Sequence, residues 1–540
     1  MIETKYIAGD FFGGITATVV ALPLALAFGV QSGMGAIAGL YGAIVLGILA
    51  AIFGGTKTQI SGPTGPMAVM AAAIIAGEIA IYGSLEAALG TIIATFVLAG
   101  IFQILMGIAG VGQYVRYMPY PVVSGFMSGI GLIIILLQVF PFFGITSPST
   151  IIDVFSSLGE IGSRMNVQAA GLSLATIAII YLFPKVTKKV PSALVALIGL
   201  TLFTAFLDLD VLVIGDIPKG LPNVHIDTLL FMDWHHPMVI VIPALTLAAL
   251  GAIDSLLTSV VADNKTKTKH NSNRELIGQG IGNMCAGIIG GLPGAGATMR
   301  TVVNINAGGR TRLSGVIHGL GLLIVLLGAS EYAALIPLSV LAGILIIVGF
   351  EIIDYKGLKH IKDVPFSDAV IMLVVLILTV FVDLLQAVAV GMVLASILFM
   401  KKMGDLGENR ANAMPFESVH SQSEVFESSK MHQKIYVQAF DGPIFFGFTA
   451  YFSTIISALP DVKIVALRME KVPYIDQSGM YAIEDAVLDL EKRGIEVYLI
   501  GMQKQPEDML RRIELIPSIV EEESLFEDFE SFKSFVKNVL

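Results

Sequence analysis

The chain has 540 residues, 55% of them hydrophobic and 14% charged, with a formal net charge of −10 and a mean hydropathy of +0.80. That composition excludes an ordinary soluble globular protein, and the acidic balance gives no support for nucleic-acid binding. A single cysteine, Cys285, excludes an intrachain disulfide.

Apolar segments recur near 10–30, 34–54, 66–82, 87–110, 121–144, 168–184, 190–207, 238–262, 276–290, 298–307, 313–329, 334–350, 366–384 and 386–400. They predict a polytopic α-helical membrane protein with a span count near fourteen. The first segment contains Asp10 and Pro23 and has no short signal core ending in a cleavage site, so it reads as a retained span. The third and tenth are too short or too Gly-rich for ordinary spans. Lys57, Arg116, Lys185, Lys265, Lys267, Lys269, Arg310, Arg312 and Lys356 fall after even-numbered segments, whereas acids such as Asp153, Asp208 and Glu331 dominate after odd-numbered ones. This alternation follows the positive-inside rule and places both termini in the cytoplasm.

Beyond Lys402 the composition turns polar. Strands are expected at 434–440, 445–448, 463–469 and 496–500, with helices at 449–459, 479–493 and 506–514. The organisation is therefore a membrane domain at 1–403, a linker at 404–433 and a small cytoplasmic α/β domain at 434–540.

Two stretches break the apolar pattern: Ser61-Gly62-Pro63-Thr64-Gly65-Pro66, and Gly290-Gly291-Leu292-Pro293-Gly294-Ala295-Gly296-Ala297-Thr298-Met299-Arg300. Irregular backbone at membrane depth survives only inside protein or along a cavity, and paired breaks in two halves point to a transporter site. Helices starting after Pro66 and near Ala297 would aim N–H groups and positive dipole ends into the gap, an anion cradle to which Thr64 and Thr298 add hydroxyls. The alternative is that these glycines only permit close helix packing.

Asp254 lies deep in the eighth segment, where a carboxylate must be paired, hydrated or protonated. Thr258 is four residues on, on the same helical face, and the oxygen pair suits a hard cation such as Na⁺. Asp254 could instead cap a neighbouring helix or pair with Arg300. Three readings are open for Arg300: a fixed charge near the anion, a partner for Asp254, or a snorkelling arginine near a helix end. The run Gly291 to Thr298 has P-loop spacing, but Ala297 stands where the lysine belongs and no soluble strand precedes it, which argues against nucleotide binding. His235 and His236 read as external surface residues, and no Ser/His/Asp or metal-ligand spacing supports an enzyme.

Gly9-Asp10-Phe11-Phe12-Gly13-Gly14, Ala21-Leu22-Pro23-Leu24-Ala25-Leu26-Ala27-Phe28-Gly29, Thr64-Gly65-Pro66-Met67 and Ser124-Gly125-Phe126-Met127-Ser128-Gly129 carry a family resemblance. So does the run from Asp254-Ser255-Leu256-Leu257-Thr258 through His270-Asn271-Ser272-Asn273-Arg274-Glu275-Leu276 to Asn304. The membrane part resembles the SulP anion transporters, equivalent to the SLC26 family, and the tail is similar to their STAS domain. The resemblance implies fourteen spans as seven-plus-seven inverted repeats, core and gate domains, a homodimer in the inner (plasma) membrane and an elevator-like cycle. It further implies a sodium site of Asp254, Thr258, Gly296, Ala297 and Thr298, with Thr64, Gly65, Ala297, Thr298 and Arg300 around the anion. Within the family the resemblance is nearest to bicarbonate-transporting members, implying sodium-coupled symport of bicarbonate; proton-coupled or uncoupled transport of sulfate or a dicarboxylate is the alternative. Ile475-Asp476-Gln477-Ser478-Gly479 is similar to the phosphorylated loop of STAS proteins. Ser478 is thus a candidate phosphorylation site, or else a helix N-cap.

Overall fold

Apolar runs bounded by Gly, Pro or a polar cap fold into helices in a computed structural model of the chain. It describes residues 4–148, 150–187, 191–215, 224, 225, 227, 237–382, 384–410, 412–415, 435–446 and 462–539. Each of the fourteen apolar segments lies on a helix. They are α1 (Ile7–Ser32), α2 (Ala36–Phe53), α3 (Gly65–Tyr82), α4 (Leu85–Ile108), α5 (Tyr120–Leu137), α6 (Val167–Val186) and α7 (Ser192–Leu207). The second half comprises α8 (Pro237–Thr266), α9 (Ser272–Ile288), α10 (Thr298–Asn306), α11 (Arg312–Ala334), α12 (Leu338–Ile352), α13 (Phe366–Phe381) and α14 (Leu384–Arg410). The third helix reaches 18 residues, enough to cross a bilayer, whereas the tenth has 9. Short helical turns at Ile151–Ser157 and Ile161–Arg164, where the sequence suggested only a loop, close the end of the α5 region over Val154 and Phe140.

The halves are equivalent in order. In each, two long helices lead to a two-residue strand and then to a helix that starts within the bundle: β1 (Ser61–Gly62) before α3, and β2 (Ala295–Gly296) before α10. Helices α1–α4 pack with α8–α11 as a core domain, while α5–α7 pack with α12 and α13 as a gate, which α14 joins where Gly391 meets Val122 and Val375. Small residues dominate the core contacts, which lets backbones approach where hydrophobic burial alone cannot hold helices together in lipid.

Two compact units divide the chain, 1–392 and 393–540. In the second, β3 (Asn412–Pro415), β4 (Ile435–Asp441), β5 (Ile464–Lys471), β6 (Glu496–Ile500) and β7 (Leu525–Phe526) form one sheet in that order. Only β3 runs antiparallel, against β4. Alternation along β5 sends Val465 and Leu467 to the side of α15 (Gln477–Lys492) and α16 (Lys504–Arg512), and Ile464 and Ala466 to that of α17 (Phe529–Val539). Asn412–Pro415, which the sequence assigned to the linker, is thus an edge strand, and α14 runs past 403 to Arg410. The expected helix at 449–459 lies outside the described residues, as does the expected strand at 445–448 beyond Phe446.

Candidate functional site

The two breaks meet. Ser61 pairs with Gly296 and Gly62 with Ala295, antiparallel, so backbone groups that lipid could not satisfy satisfy each other. The contact is tight: a Cβ on Gly294 would lie 2.2 Å from the carbonyl oxygen of Gly62. Ala297 N donates to the Ile60 carbonyl at 2.8 Å, and the Thr301 hydroxyl accepts from Ile60 N at 3.0 Å. Helices α3 and α10 therefore begin beside each other, and their first-turn amides lack intrahelical acceptors.

Asp254 faces this junction from α8. The Thr64 hydroxyl, at the N-cap of α3, donates to Asp254 Oδ2 at 2.7 Å. One turn along α8, Thr258 Oγ1 donates to the Gly296 carbonyl at 2.8 Å and lies 2.6 Å from Thr298 Oγ1. Two hydroxyls and a carbonyl thus meet, with the Asp254 carboxylate one turn away on α8: an all-oxygen set with one negative charge, whose chemistry suits a monovalent hard cation. Of the residues expected to hold sodium, Thr258, Gly296 and Thr298 are joined by these contacts and Ala297 caps α10 beside them, whereas Asp254 is bonded to Thr64 instead. Thr258, Gly296 and Ala297 are buried, Asp254 is half-buried and Thr298 is exposed, so the cluster has an open side. Thr64 and Gly65 line the same junction.

Arg300 departs from the snorkelling reading. It is 1% exposed, and its Nη2 donates to the Pro63 carbonyl. Among the described residues Nε and Nη1 have no hydrogen-bond partner, and a Cβ on Gly62 would lie 2.5 Å from Nη1. Asp254 does not form an ion pair with it; the carboxylate holds Thr64, the guanidinium the residue before. Neither does Asp254 cap a helix: it accepts from a side-chain hydroxyl, not from a backbone N–H.

Sequence reasoning missed the polar scaffold behind the break. Glu275, Gln279 and Asn283 stand at four-residue intervals on one face of α9 and are all buried. Glu275 accepts from Gly55 N, Thr56 N, Gln59 Nε2 and Gln279 Nε2 at 2.7–2.8 Å. Gln279 also reaches Ser61 Oγ at 2.6 Å, while Asn283 donates to the Gly294 carbonyl and accepts from Gly294 N. This ladder fixes the break backbone to α9, and its i, i+4, i+8 polarity in an apolar segment was the available signal. A Ser–His–Asp chain also forms, which spacing did not reveal: His270 Nδ1 lies 2.7 Å from Asp263 Oδ2 and His270 Nε2 3.0 Å from Ser272 Oγ. The segment Val111–Tyr117 presses on this turn, since a Cβ on Gly112 would lie 2.9 Å from the Ser272 carbonyl carbon. The chain locks the α8–α9 connection.

In the second unit Ser478 is exposed at the second position of α15. It is not the N-cap; Asp476 is, accepting from Gly479 N at 2.8 Å.

A profile described as the sulfate permease family matches residues 7–375, and a STAS domain profile matches 428–531. The chain belongs to the sulfate permease family. Its SulP relatives include the bicarbonate transporter BicA of Picosynechococcus sp., 40% identical over 100% of this chain and 96% of that protein. BicA of Synechocystis sp. is 41% identical over 99% and 95% of the two chains, and a putative sulfate transporter of Bacillus subtilis, YvdB, 33% over 94% of each. Among solved structures, the transmembrane domain of a cyanobacterial BicA is 46% identical, with a TM-score of 0.66 over 72% of this chain and 98% of that one. Murine solute carrier 26 member A9 in its inward-facing state shares the fold, with a TM-score of 0.84 at 18% identity over 99% of this chain and 92% of that one. This SulP protein is therefore a multi-pass membrane anion transporter with a C-terminal STAS domain.

Proposed function

We propose that this protein is a sodium-coupled symporter of bicarbonate in the plasma membrane. The observation that carries the reading is the Thr64–Asp254 hydrogen bond of 2.7 Å, which joins the start of an anion-facing helix to the carboxylate of an all-oxygen cluster. Sodium is cargo here, held by Asp254, Thr258, Gly296, Ala297 and Thr298, while Thr64, Gly65, Ala297 and Thr298 border the anion. The higher identity to the two BicA proteins, 40% and 41% over nearly the whole of each chain, supports bicarbonate as the anion; the resemblance to YvdB keeps sulfate as the competing substrate.

Coupling follows from electrostatics. Two negative charges about 6 Å apart at an effective dielectric near 20 repel by roughly 3 kcal/mol, so an ionised Asp254 alone weakens anion binding by about two powers of ten. Sodium removes that repulsion, and linkage requires the anion to strengthen sodium binding equally. The core, carrying both ions between the paired breaks, moves against the gate of a homodimer whose termini face the cytoplasm.

The test is uptake of labelled bicarbonate into proteoliposomes at fixed pH, with an inward sodium gradient or with potassium in its place. Sodium-dependent uptake unaffected by excess sulfate or fumarate is expected, as is loss of sodium stimulation in Asp254→Asn. Sodium-stimulated uptake persisting in a correctly folded Asp254→Asn would refute the site.

A further inference from the structure

We propose that the cavity between core and gate at the outer end of the bundle is a second bicarbonate site, where the Gln31 amide and the start of α12 hold the anion on its way to the junction and recognise its hydroxyl. This rests on the bicarbonate reading above and adds a residue that tells bicarbonate from anions without an O–H.

The cavity has a volume of 370 Å³. It lies where α1 and α3 of the core finish and α12 of the gate begins, the end that faces outwards when the termini are cytoplasmic. Two of these helices lead from it to the junction. On α3, Ala72 lines the cavity seven residues after Gly65, about 10 Å at a rise of 1.5 Å per residue. On α12, Leu345 lines it seven residues before Ile352, whose Cδ1 would lie 2.9 Å from a Cβ on Gly65. Among the described residues no lining side chain is charged, yet the wall holds polar groups that nothing satisfies. Nε2 and Oε1 of Gln31 are both buried with no hydrogen-bond partner among the described residues, and so is Oγ of Ser339, a residue 2% exposed. A buried amide or hydroxyl without a partner is costly, so a polar occupant is favoured over an apolar one.

The preference for an anion comes from α12, a helix of 15 residues. Leu338 N donates to the Leu212 carbonyl, and Val340 N and Leu341 N to the Pro337 carbonyl, which leaves the Ser339 N–H at the positive end of the helix. The Ser173 hydroxyl holds the Ser339 carbonyl at 2.8 Å and so fixes this first turn. An N–H and a hydroxyl on one residue at a helix start suit an anion, and Gln31 answers them from the core. Bicarbonate complements that set. Its oxygens accept from Ser339 N–H, Ser339 O–H and Gln31 Nε2, while its own O–H donates to Gln31 Oε1, one planar donor–acceptor edge against another. Formate has the same charge and planarity but no hydroxyl, and sulfate has none either, so each would leave Oε1 buried opposite an acceptor. A site built around a substrate hydroxyl rejects the analogue that lacks it. Because Gln31 belongs to the core and Ser339 to the gate, movement of one against the other would split the set and release the anion.

The experiment follows the melting temperature of the full chain at fixed pH in sodium-free buffer, as potassium bicarbonate, formate or sulfate is added at equal ionic strength. Bicarbonate should raise the melting temperature, and the other two should not. In Gln31→Leu and in Ser339→Ala the bicarbonate concentration at half-effect should rise about ten-fold, the loss of one hydrogen bond to a charged group. Without any anion, Gln31→Leu should melt no lower than wild type, because it removes an unsatisfied amide; a glutamine with a purely structural role would lose stability instead. In proteoliposomes the KM for external bicarbonate should rise by the same factor while stimulation by sodium persists. Where Gln31→Leu fails to fold, Ser339→Ala, which removes a single hydroxyl, carries the comparison. Equal half-effect concentrations in wild type and variants overturn the site, and equal stabilisation by formate and bicarbonate overturns recognition of the hydroxyl. Wild-type uptake that needs no sodium, with the half-effect concentrations shifted as expected, overturns symport and leaves this site standing.

Discussion

Asp254 and Gly294 show how little side-chain freedom the site allows. Asp254 was conspicuous in the sequence because a carboxylate among apolar residues must have a reason. Gly294 was conspicuous only as part of a glycine-rich run, and its individual role comes from the crossing of two backbones. A methyl group there meets the carbonyl of Gly62 at 2.2 Å and its carbon at 2.3 Å. Backbone atoms cannot swing aside as a flexible side chain can, so the β1–β2 pair must separate. Gly294→Ala should therefore lower sodium-dependent uptake by more than about ten-fold, the equivalent of about 1.4 kcal/mol, while the protein still reaches the membrane. Normal uptake kinetics in that variant would show that the breaks need not touch. Arg300 makes the complementary point: its type suggested several roles, and only its burial against Pro63 removed the snorkelling one.

At the scale of elements, the motif from Ser124 to Ser128 acquires a reason the sequence did not offer. Ser124 and Tyr120 on α5 donate to Asp354 Oδ2 at 2.6 Å each, and Ser128 Oγ accepts from Asp354 N at 3.2 Å. Asp354 also caps the short helix Tyr355–Lys359 through Gly357 N. It therefore ties α5 to the connection between α12 and α13, inside the gate. Burial pushes this carboxyl up, but the bonds from Ser124, Tyr120, Gly357 and Lys356 outweigh it and hold its pKa below the usual carboxylate value. A depressed folded pKa stabilises above the unfolded value of about 3.9 and is lost as pH falls through the folded one. Asp354→Asn should cost about 1 kcal/mol at neutral pH. The gap in melting temperature between it and wild type should stay constant from about pH 5 to 8 and narrow only below about pH 4. A gap that changes near neutrality would assign the effect to another group.

For the molecule as a whole, the division into two units has a thermodynamic consequence. The STAS sheet has its own hydrophobic clusters on both faces, built around Val465, Leu467, Leu490 and Leu499 on one side and Ala466, Tyr498 and Phe532 on the other. Leu467 is fully buried, so Leu467→Ala should destabilise this unit by about 2–5 kcal/mol through lost burial and a residual cavity. Limited proteolysis should then remove the region after 435 while the membrane unit survives. Equal degradation of both parts would show that they unfold together.

The sequence by itself determined the membrane class, the fourteen helices, the two breaks and the presence of an α/β tail, because hydrophobic periodicity and helix-breaking residues act locally. It also singled out Asp254 and Thr258, since four-residue spacing on one helix is a local fact. The tertiary structure alone decided what those residues touch. Thr64 and Asp254 are 190 positions apart, Ser61 and Gly296 pair across the two halves, and Asn412–Pro415 joins a sheet whose next strand begins at Ile435. Such contacts form between groups distant in the chain, whose encounter is dictated by the packing of the entire bundle or sheet, and no periodicity within either segment encodes it. The polar ladder of α9 lies between these cases: its spacing is local, but its purpose, holding the break in place, exists only once α2 and β2 are packed against it.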